Sequence, residues 1–514
     1  MSYAPAQSSM QPALHSTFSS LYHEPIYGSD EDVAQDSPDS LVPMTSTMDI
    51  YDPSIPYEQK DLVQHYMSDV LPIQYLLSDS SVIRTFIYDL IRQSSSARDA
   101  ACMLAAIHRD RMGYTSAQTF PSSNGVIVAP ATMLYKRLFE NLARKQQFNE
   151  GDAMAGLHAV STILFSGGRG AWDMFLAVAS NYVHNVLTNP RYPGPEDVLR
   201  NCSESTRFIV KTTMWFDVLA SVTTQQIPRF LVVYRQLFDR SRRAYIEDPN
   251  QSSPPEISML PVMGCENNIV LAIAEISNLA CWKESQTKRH CLSIPKLVER
   301  GMEIEAKFLT PGGASSPSAI RGVNGLPPTP GPSSSMGSAY AMDGQAYAAA
   351  SGMYAQSPVY GPAPGMMPLG NGASEVELRR RLTNDIFRAS ARVYLHTVLS
   401  GDYPSCPEIV DAVTEVIECL KRVPLDKALV SRSVLRSVVF GICIAGCLTD
   451  SPEQRLFLMR LLDTQRQETV GNVAEVKHLM EQVWIRRESK GSMGQAVNWR
   501  DVMRESQREL LLLV

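Results

Sequence analysis

The sequence has few of the residue patterns that bind metals. None of its nine cysteines belongs to a CxxC pair, so the paired ligands of zinc fingers and zinc ribbons are missing. The cysteines are odd in number and scattered, which is typical of reduced thiols in the cytosol or nucleus, not of a secreted disulfide framework. Cys443 and Cys447 lie four residues apart, but no second Cys/His pair stands near them, so we interpret them as buried thiols.

Catalytic signatures are absent as well. The sequence contains neither HExxH nor GxSxG. His108-Arg109-Asp110 resembles a kinase catalytic loop, but Thr115 stands where that loop requires asparagine, and no DFG follows. Residues 167–170, GGRG, lack the GK[ST] of a phosphate loop and are typical of a turn that closes a helical hairpin. The sequence therefore predicts no catalytic residue, no cofactor site and no metal ligand, and the chain is not expected to be an enzyme.

An excess of basic residues and a long apolar run are also missing. The formal net charge is −6 and the isoelectric point is about 5.9, which argues against a stand-alone DNA or RNA binder. The longest nearly apolar run, Val438–Leu448, is too short to cross a bilayer, and the first residues do not form a signal peptide. These features predict a soluble intracellular protein with no membrane contact. Arg379-Arg380-Arg381 is either a nuclear-import or phosphate contact or, alternatively, a solvated helix face.

Apolar residues recur at helical spacing over most of the chain, and no segment alternates at period two for long enough to demand a sheet. The predicted fold class is therefore all-α, a large multi-helix domain. We expect Ser433–Leu448, which is apolar nearly all round, to form one central helix. Two segments, one rich in Ser, Pro, Gln and Asp and the other in Pro, Gly and Ser, cannot bury enough apolar area to fold. The predicted organisation is a disordered acidic tail, 1–55, a helical part, 56–310, a disordered insertion, 311–373, and a second helical part, 374–514.

The two predicted disordered segments carry candidate regulatory features. The acidic tail interleaves carboxylates with aromatic residues, so it is either an activation segment that folds on a coactivator or simply a solvated tail. Pairs of Ser or Thr with a following proline are candidate phosphorylation sites, and the alternative is chance occurrence in Ser/Pro-rich sequence. The candidates are Ser37, Thr310, Ser316, Thr329 and Ser357.

The stretch 215–230, WFDVLASVTTQQIPRF, combines features that rarely occur together. Its first half continues an apolar helical series, so we expect one buried helix from about Ser203 to Val222. Asp217 lies inside that series, where a carboxylate must be hydrogen-bonded or paired to be tolerated. The polar residues after Val222 break the pattern before Pro228. We expect Asp217 and Arg229 to form a pair that fixes the end of this helix.

Three stretches in order carry a family resemblance: WFDVLASVTTQQIPRF, then MGCENNIVLAIAEISNLA, then a C-terminal group of YLHTVLSG, SVLRSVVFGICIAGCLT, EQVWIRR and NWRDVMRESQRELLLLV. The series resembles the fungal-specific regulatory domain, or middle homology region, of Zn2Cys6 zinc-cluster transcription factors. It is most similar to the subgroup whose C-terminus has Trp-Arg-x-Val-Met-x-Glu and a Leu-rich tail, and it resembles regulators of sexual development. The signature residues that this resemblance implies are Trp215, Asp217, Pro228, Arg229, Trp484 and Trp499.

The resemblance implies an all-helical domain in the nucleus that controls genes transcribed by RNA polymerase II. It implies the transcription machinery or coregulators as partners, and a homodimer or heterodimer partner. The zinc-cluster head of the family needs six cysteines in CxxC-containing clusters, and this chain has none of them. Zinc and DNA contact are therefore expected only if such a head exists upstream of the present start. The alternatives are a helical interaction scaffold, or a small-molecule-binding protein or enzyme without DNA-binding activity.

Overall fold

Helices form nearly all of the regular structure in the part of the chain that the structure describes. The structure is a computed structural model, and it describes residues 52–113, 120–121, 127–128, 130–239, 254–310, 371–465, 471–489, 496–506 and 509–514. The exception to helix is one antiparallel ribbon of two-residue strands, β1 (Phe120–Pro121) and β2 (Ile127–Val128). The predicted all-α class is confirmed.

The helices form two groups along the chain. Before residue 311 they are α1 (Tyr57–His65), α2 (Leu71–Gln74), α3 (Ser80–Gln93), α4 (Ser95–Arg111), α5 (Pro130–Ala143), α6 (Glu150–Phe165), α7 (Trp172–Leu187), α8 (Pro195–Asn201), α9 (Glu204–Thr224), α10 (Leu231–Phe238), α11 (Leu260–Met263), α12 (Asn267–Lys288) and α13 (Ile294–Ile304). After residue 370 they are α14 (Asn371–Ser400), α15 (Pro407–Lys421), α16 (Ala428–Ser437), α17 (Val439–Cys447), α18 (Pro452–Asp463), α19 (Val473–Ser489) and α20 (Trp499–Ser506). The π turns Tyr66–Val70 and Glu305–Leu309 follow α1 and α13.

Helix α9 lies at the centre of the molecule. Of its 21 residues, 17 are buried, and it packs against α6, α7 and α12. The Ser203 hydroxyl caps its N-terminus by accepting a hydrogen bond from the Thr206 amide at 3.1 Å. Even Lys211 is buried: its ammonium donates to the Pro255 carbonyl at 2.9 Å, and burial lowers the pKa of this side chain to about 8. A helix covered on every side explains why its sequence shows only a weak polar face.

A chain of aromatic rings joins α9 to the second group of helices. Trp215 of α9 meets Phe387 of α14 edge to face, with ring centroids 4.8 Å apart. Phe387 stacks on Phe440 of α17 at 6.5 Å, and Phe440 also contacts Tyr394 of α14 at 6.2 Å. All four rings are buried, so the helices from before and after residues 311–370 share one core.

The structure corrects the single helix predicted over Ser433–Leu448. The segment forms two helices, α16 and α17, bent by 65° at Val438. The bend directs α17 between α14 and α19, where it is completely buried. A Cβ atom on Gly441 would lie 2.2 Å from the Ser390 hydroxyl, and one on Gly446 would lie 2.3 Å from the Met480 methyl. The two glycines thus permit the close approach of α17, and the prediction that this segment is central is confirmed.

Two predicted boundaries differ from the observed ones. Helix α9 extends to Thr224, two residues beyond the predicted end at Val222, because its C-cap is Gln225 in the left-handed conformation. Helix α14 begins at Asn371, within the predicted insertion 311–373. Most of that insertion and residues 1–51 lie outside the described residues.

Within the described ranges, no single helix is long and apolar enough to cross a bilayer. Helices α16 and α17 would satisfy the length and composition only if they were taken together, and they are sharply bent.

The helical hairpin of α6 and α7 generates a stability prediction. A Cβ on Gly156 would lie 2.7 Å from the Phe175 backbone oxygen, which a side-chain rotation cannot relieve. We expect Gly156→Ala to lower the free energy of unfolding by about 1–3 kcal/mol, although alanine favours helix. Gly194→Ala is the matched control, because a Cβ there meets nothing within 4 Å. Urea denaturation of both variants measures the effect, and equal stability of the two would contradict the close packing.

Candidate functional site

The C-terminal end of α9 and the turn after it hold four of the six predicted signature residues. Gln225 ends the helix with a φ of 57°, and the turn then passes through the buried Pro228 to α10. The thiol of Cys281 on α12 donates to the Gln225 carbonyl at 3.1 Å. The turn is therefore held from the outside by α12 and from the inside by α9.

The Asp217 carboxylate fastens this turn to α9. Its Oδ1 accepts the Arg229 amide at 3.1 Å, and its Oδ2 accepts the Phe230 amide at 3.2 Å and the Tyr234 hydroxyl at 2.9 Å. Asp217 is 4% exposed, and burial raises the pKa of this carboxyl while the three hydrogen bonds oppose the rise. The carboxylate thus caps the start of α10, where amides lack helical partners.

The expected pairing of Asp217 with Arg229 is present in a different form. The contact uses the Arg229 backbone amide, while the Arg229 side chain is exposed. Tyr234, which the sequence reasoning missed, supplies the side-chain partner. Its position 17 residues after Asp217 gave no local signal, because the contact depends on the turn that reverses the chain.

The three signature tryptophans occupy different places. Trp215 packs on Phe387 beside the turn, as described above. Trp484 of α19 donates its indole N–H to the Gly446 carbonyl at 2.8 Å, which joins α19 to α17. Trp499 opens α20 and is fully buried. Trp484 thus lies away from the α9 turn. Trp499 is connected to the end of α9 through the next residue in the chain, Arg500.

The sequence reasoning did not single out Arg500. Its Nε donates to the Val222 carbonyl at 2.8 Å, and its guanidinium lies 4.2 Å from the centroid of the Trp499 ring. A cation at the C-terminal end of a helix satisfies an unpaired carbonyl and complements the helix dipole. Arg500 is 4% exposed, so α20 contributes a buried charge to the end of α9.

Asp402, which follows α14, lies near this charge. Burial raises the pKa of Asp402 to about 6, and the cations of Arg500 and Lys283 oppose the rise. Its Oδ1 has no hydrogen-bond partner among the described residues. The Lys283 ammonium donates to the Val398 carbonyl at 2.6 Å instead. Asp402 is therefore a largely buried carboxyl whose Oδ1 is not balanced by a hydrogen bond from the described residues.

The glycine-rich run 167–170 closes the α6–α7 hairpin, as predicted, and also binds the segment Glu509–Val514. The Gly168 carbonyl accepts the Leu512 amide at 2.9 Å, and the Trp172 indole donates to the Leu510 carbonyl at 2.9 Å. Leu511 forms an isolated antiparallel bridge with Arg169. Positive φ angles at three of these glycines allow the backbone to face the segment. The Leu-rich residues thus pack inside the molecule.

Two cavities adjoin α9. The turn cleft, about 410 Å³, lies between the start of α7, the end of α9, the turn residues 226–229 and Glu509–Leu510. A second pocket, about 120 Å³ and partly open to solvent, lies between α2, α6, α9 and the α16–α17 bend, and its walls are mostly apolar.

The basic run at the start of α14 is not a solvated face. Arg379 donates to the Leu76 carbonyl at 3.3 Å, and Arg380 donates to the Leu77 carbonyl at 3.2 Å. Both side chains therefore hold the segment that follows α2 against α14. Their side chains are half-buried, and burial lowers the pKa of each guanidinium. The solvated-face interpretation holds only for Arg381, which is exposed.

Of the five candidate phosphorylation sites, Thr310 alone lies within the described residues. Thr310 is exposed, with its hydroxyl donating to the Glu305 carbonyl at 3.3 Å. The other phosphorylation candidates, Ser37, Ser316, Thr329 and Ser357, lie outside the described residues. Over the described ranges, no group of three or more His, Cys, Asp or Glu side chains is arranged to hold a metal ion.

The Asp217 contacts generate a mutational prediction. Asp217→Ala removes the acceptor of the Arg229 and Phe230 amides. The Tyr234 hydroxyl keeps the Met214 carbonyl as an acceptor at 2.8 Å. We expect the free energy of unfolding to fall by about 2–4 kcal/mol, because the buried helix turn loses its carboxylate cap. Asp411→Ala, at an exposed position of α15, is the control and should change it by less than about 0.5 kcal/mol. Chemical denaturation measures both. An Asp217→Ala variant as stable as the control would remove the capping role.

Asp402 generates a prediction of pH dependence. A carboxyl whose pKa in the folded state, about 6, exceeds its ordinary value of 3.8 stabilises the fold when protonated, and this contribution is lost as pH rises through 4 to 6. Asp402→Asn lacks this titration. We expect its free energy of unfolding, relative to wild type, to increase by about 2 kcal/mol between pH 4 and pH 7. A difference between Asp402→Asn and wild type that stays flat over this pH range would contradict the assignment.

The comparisons with known proteins cover nearly the whole described chain. A family model described as "Fungal specific transcription factor domain" matches residues 61–513. The chain is 22% identical to the ustiloxin B cluster transcription factor ustR of Aspergillus flavus, over 58% of this chain and 41% of that protein. It is 25% identical to the transcription factor dibT of Pestalotiopsis microspora, over 55% of this chain and 37% of that protein.

A third relative is covered more fully. The chain is 20% identical to the pestheic acid cluster transcriptional regulator 3 of Pestalotiopsis fici, over 90% of this chain and 76% of that protein. The chain spans less than half the length of the first two relatives. No solved structure matches the chain. The resemblance to the finer subgroup of developmental regulators stays a prediction. Because the family model covers all the helices from the end of α1 to α20, the chain belongs to the family of fungal-specific transcription factor domains.

Proposed function

We propose that this chain is the regulatory domain of a fungal transcription regulator that acts in the nucleus on genes transcribed by RNA polymerase II. The observation that carries the proposal is the family match over residues 61–513, together with relatives that are named transcription factors. The acidic net charge of −6 and the capping role of the buried polar groups support action through protein contacts instead of catalysis. In this proposal the chain is not an enzyme, and its partners are coregulators or the transcription machinery.

Contact with DNA is proposed to occur through a Zn2Cys6 head that is not part of this sequence. The cysteines of the chain do not form the required pairs, and the described ones are dispersed over several helices. Sequencing the 5′ end of the transcript, with mass spectrometry of the native N-terminal peptides, tests this. An upstream six-cysteine cluster supports the proposal, and a native start at Met1 leaves action through partners alone, for example as a competitor of a longer relative.

One helix face fits a protein partner. Ile294, Val298 and Met302 of α13 lie at intervals of four residues and are 57%, 43% and 52% exposed. The same helix packs its other side inward, where Leu297 and Gly301 are buried. Apolar residues at this spacing form one stripe along a helix, and such stripes receive partner helices.

Charge specifies the partner of the α13 stripe. Glu299 and Glu303 border the stripe on its solvent side, and both are exposed. The proposed occupant is an amphipathic helix of a coregulator whose apolar face is bordered by Lys or Arg, since complementary charges favour the correct register and encounter. Association of a second copy of this chain through the same stripe would place like charges together.

The function is tested by fusing the full chain to a heterologous DNA-binding domain and measuring a reporter gene in a fungal host. We expect the fusion to change transcription at least several-fold relative to the DNA-binding domain alone, upward or downward, and a tagged chain to accumulate in the nucleus. Val298→Asp in the stripe should abolish most of the change, because it places a charge in an apolar contact. Lys296→Asp, also exposed on α13, is the matched control and should retain it.

The two arms of this experiment separate the possible failures. A fusion that changes neither a silent nor an active promoter contradicts the regulatory function. A fusion that acts, but is equally impaired by the two α13 variants or by neither, removes the stripe as the partner contact. Circular dichroism of the purified variants verifies that each remains helical.

A further inference from the structure

Thr310 lies at the end of the first group of helices with its side chain in solvent. It follows the π turn Glu305–Leu309, it is exposed, and its backbone is extended, with a φ of −76° and a ψ of 127°. Pro311 is the next residue in the sequence, and an extended conformation is the one that a following proline favours. Thr310 is therefore the acceptor of an accessible Thr-Pro pair.

An arginine from the second group of helices contacts the residue before Thr310. Arg392 of α14 donates through Nη2 to the Leu309 carbonyl at 3.0 Å and through Nη1 to the Glu415 carboxylate at 2.7 Å. Leu309 is 0% exposed, so this bond fixes the backbone beside Thr310. The Leu309 carbonyl carbon is bonded directly to the Thr310 nitrogen, so the guanidinium lies close to the threonine side chain.

One donor of this guanidinium is unpaired. The Arg392 Nε is buried and has no hydrogen-bond partner among the described residues. The Glu305 carboxylate approaches it only to 3.7 Å, which is too long for a hydrogen bond. Buried donors are normally paired, and a guanidinium edge binds two oxygens of a phosphate at once. The Nε–Nη2 edge of Arg392 thus offers a phosphate contact next to an exposed hydroxyl.

The charges around Arg392 decide what such a phosphate would replace. Two carboxylates face the guanidinium, and Glu415 is bonded to it whereas Glu305 is not. The His396 Nε2 lies 3.9 Å from the Glu305 carboxylate on its other side. A phosphate on threonine carries a charge of about −1.5 to −2 near pH 7, so it attracts Arg392 more strongly than one distant carboxylate does. It would therefore displace Glu305 from Nε and leave Glu415 on Nη1.

We propose that Thr310 is a phosphorylation site of a proline-directed protein kinase, and that its phosphate binds the Nε–Nη2 edge of Arg392. In the transfer, the Thr310 oxygen bonds to the γ-phosphorus of ATP, the bond from that phosphorus to the β–γ bridging oxygen breaks to release ADP, and the hydroxyl proton passes to a base of the kinase. Thr310 exchanges its hydrogen bond to the Glu305 carbonyl, 3.3 Å, for charge-assisted bonds that join the π turn to α14. This inference goes beyond the proposed transcriptional role and does not depend on it.

The phosphate contact is tested on the full chain with phosphothreonine placed at position 310 by genetic incorporation. Phosphorus NMR measures the second pKa of the phosphate, whose ordinary value is about 6. Because a bonded guanidinium favours the dianion, we expect this pKa to lie about 0.5–1 below the ordinary value. The melting temperature near neutral pH should exceed that of the unmodified chain by about 1–3 °C.

Two arginine variants assign these effects. Arg392→Gln should return the phosphate pKa to about 6 and abolish the rise in melting temperature. Each variant is compared with and without the phosphate, so the intrinsic cost of losing the arginine cancels. Arg381→Gln is the matched control, because Arg381 is an exposed arginine of the same helix, 11 residues or about 16 Å away, and it should retain both effects.

The modification itself is tested by incubating the unmodified full chain with a purified proline-directed kinase and ATP. Tandem mass spectrometry of the tryptic peptide that begins at Phe308 separates phosphate on Thr310 from phosphate on Ser316. We expect phosphate on Thr310, and Pro311→Ala should remove most of it. A synthetic peptide of residues 308–321 verifies that the kinase accepts the sequence.

Three results would overturn the proposal. A kinase that modifies Thr310 in the peptide but not in the folded chain excludes the site. A phosphate pKa that is equal in wild type and Arg392→Gln removes the contact with Arg392. A melting temperature that falls on modification shows that repulsion by Glu305 exceeds the attraction.

Circular dichroism verifies that each variant is folded. If Arg392→Gln does not fold, Arg392→Lys takes its place, since lysine keeps the charge but lacks the two-donor edge. The rise in melting temperature should then be smaller than in wild type, and an equal rise would contradict the paired contact. None of these results bears on the reporter experiment, so the two proposals fail independently.

Discussion

The burial of α9 from Phe208 to Thr223 is the constraint on which the rest of the structure depends. A helix has unpaired amides at its start and unpaired carbonyls at its end, and burial removes the water that would satisfy them. Here Ser203 caps the start, and Arg500 donates to the Val222 carbonyl near the end. The carboxylate of Asp217 then binds the amides of Arg229 and Phe230 where the chain leaves the helix. The polar groups in this region are therefore used to make a buried helix end possible.

These contacts also explain how distant parts of the sequence become one folded unit. Arg500 lies 278 residues after Val222, and Phe387 lies far along the chain from Trp215, yet both contact α9. The segment Glu509–Val514 returns to the glycine turn between α6 and α7. Since each of these contacts crosses residues 311–370, the helices on the two sides of that segment form a common core in the structure.

The use of buried polar groups in structural contacts also bears on function. Three of the buried groups whose pKa is shifted, Lys211, Asp217 and Asp402, each lie beside backbone groups or buried cations that they serve to balance. Perturbed titratable groups in a cleft are candidates for catalysis, but structural networks perturb them equally well. The exposed apolar stripe on α13 has no such structural role among the described residues. The stripe suits recognition of a partner, which agrees with membership of a family of regulatory domains.

The sequence by itself determined the fold class, the positions of most helices and the family. Helical periodicity is a local property, so it can be recognised in the sequence without a structure. The stretch around Trp215 and Asp217 predicted a buried helix whose carboxylate needed a polar partner. Only the tertiary structure decided which partner that was: amides of the next turn and Tyr234, with the Arg229 guanidinium left in solvent. It also broke the apolar run 433–448 at Val438, because α17 must fit between α14 and α19. The capping by Arg500 arises from packing between helices far apart in sequence, and no local pattern encodes such a contact.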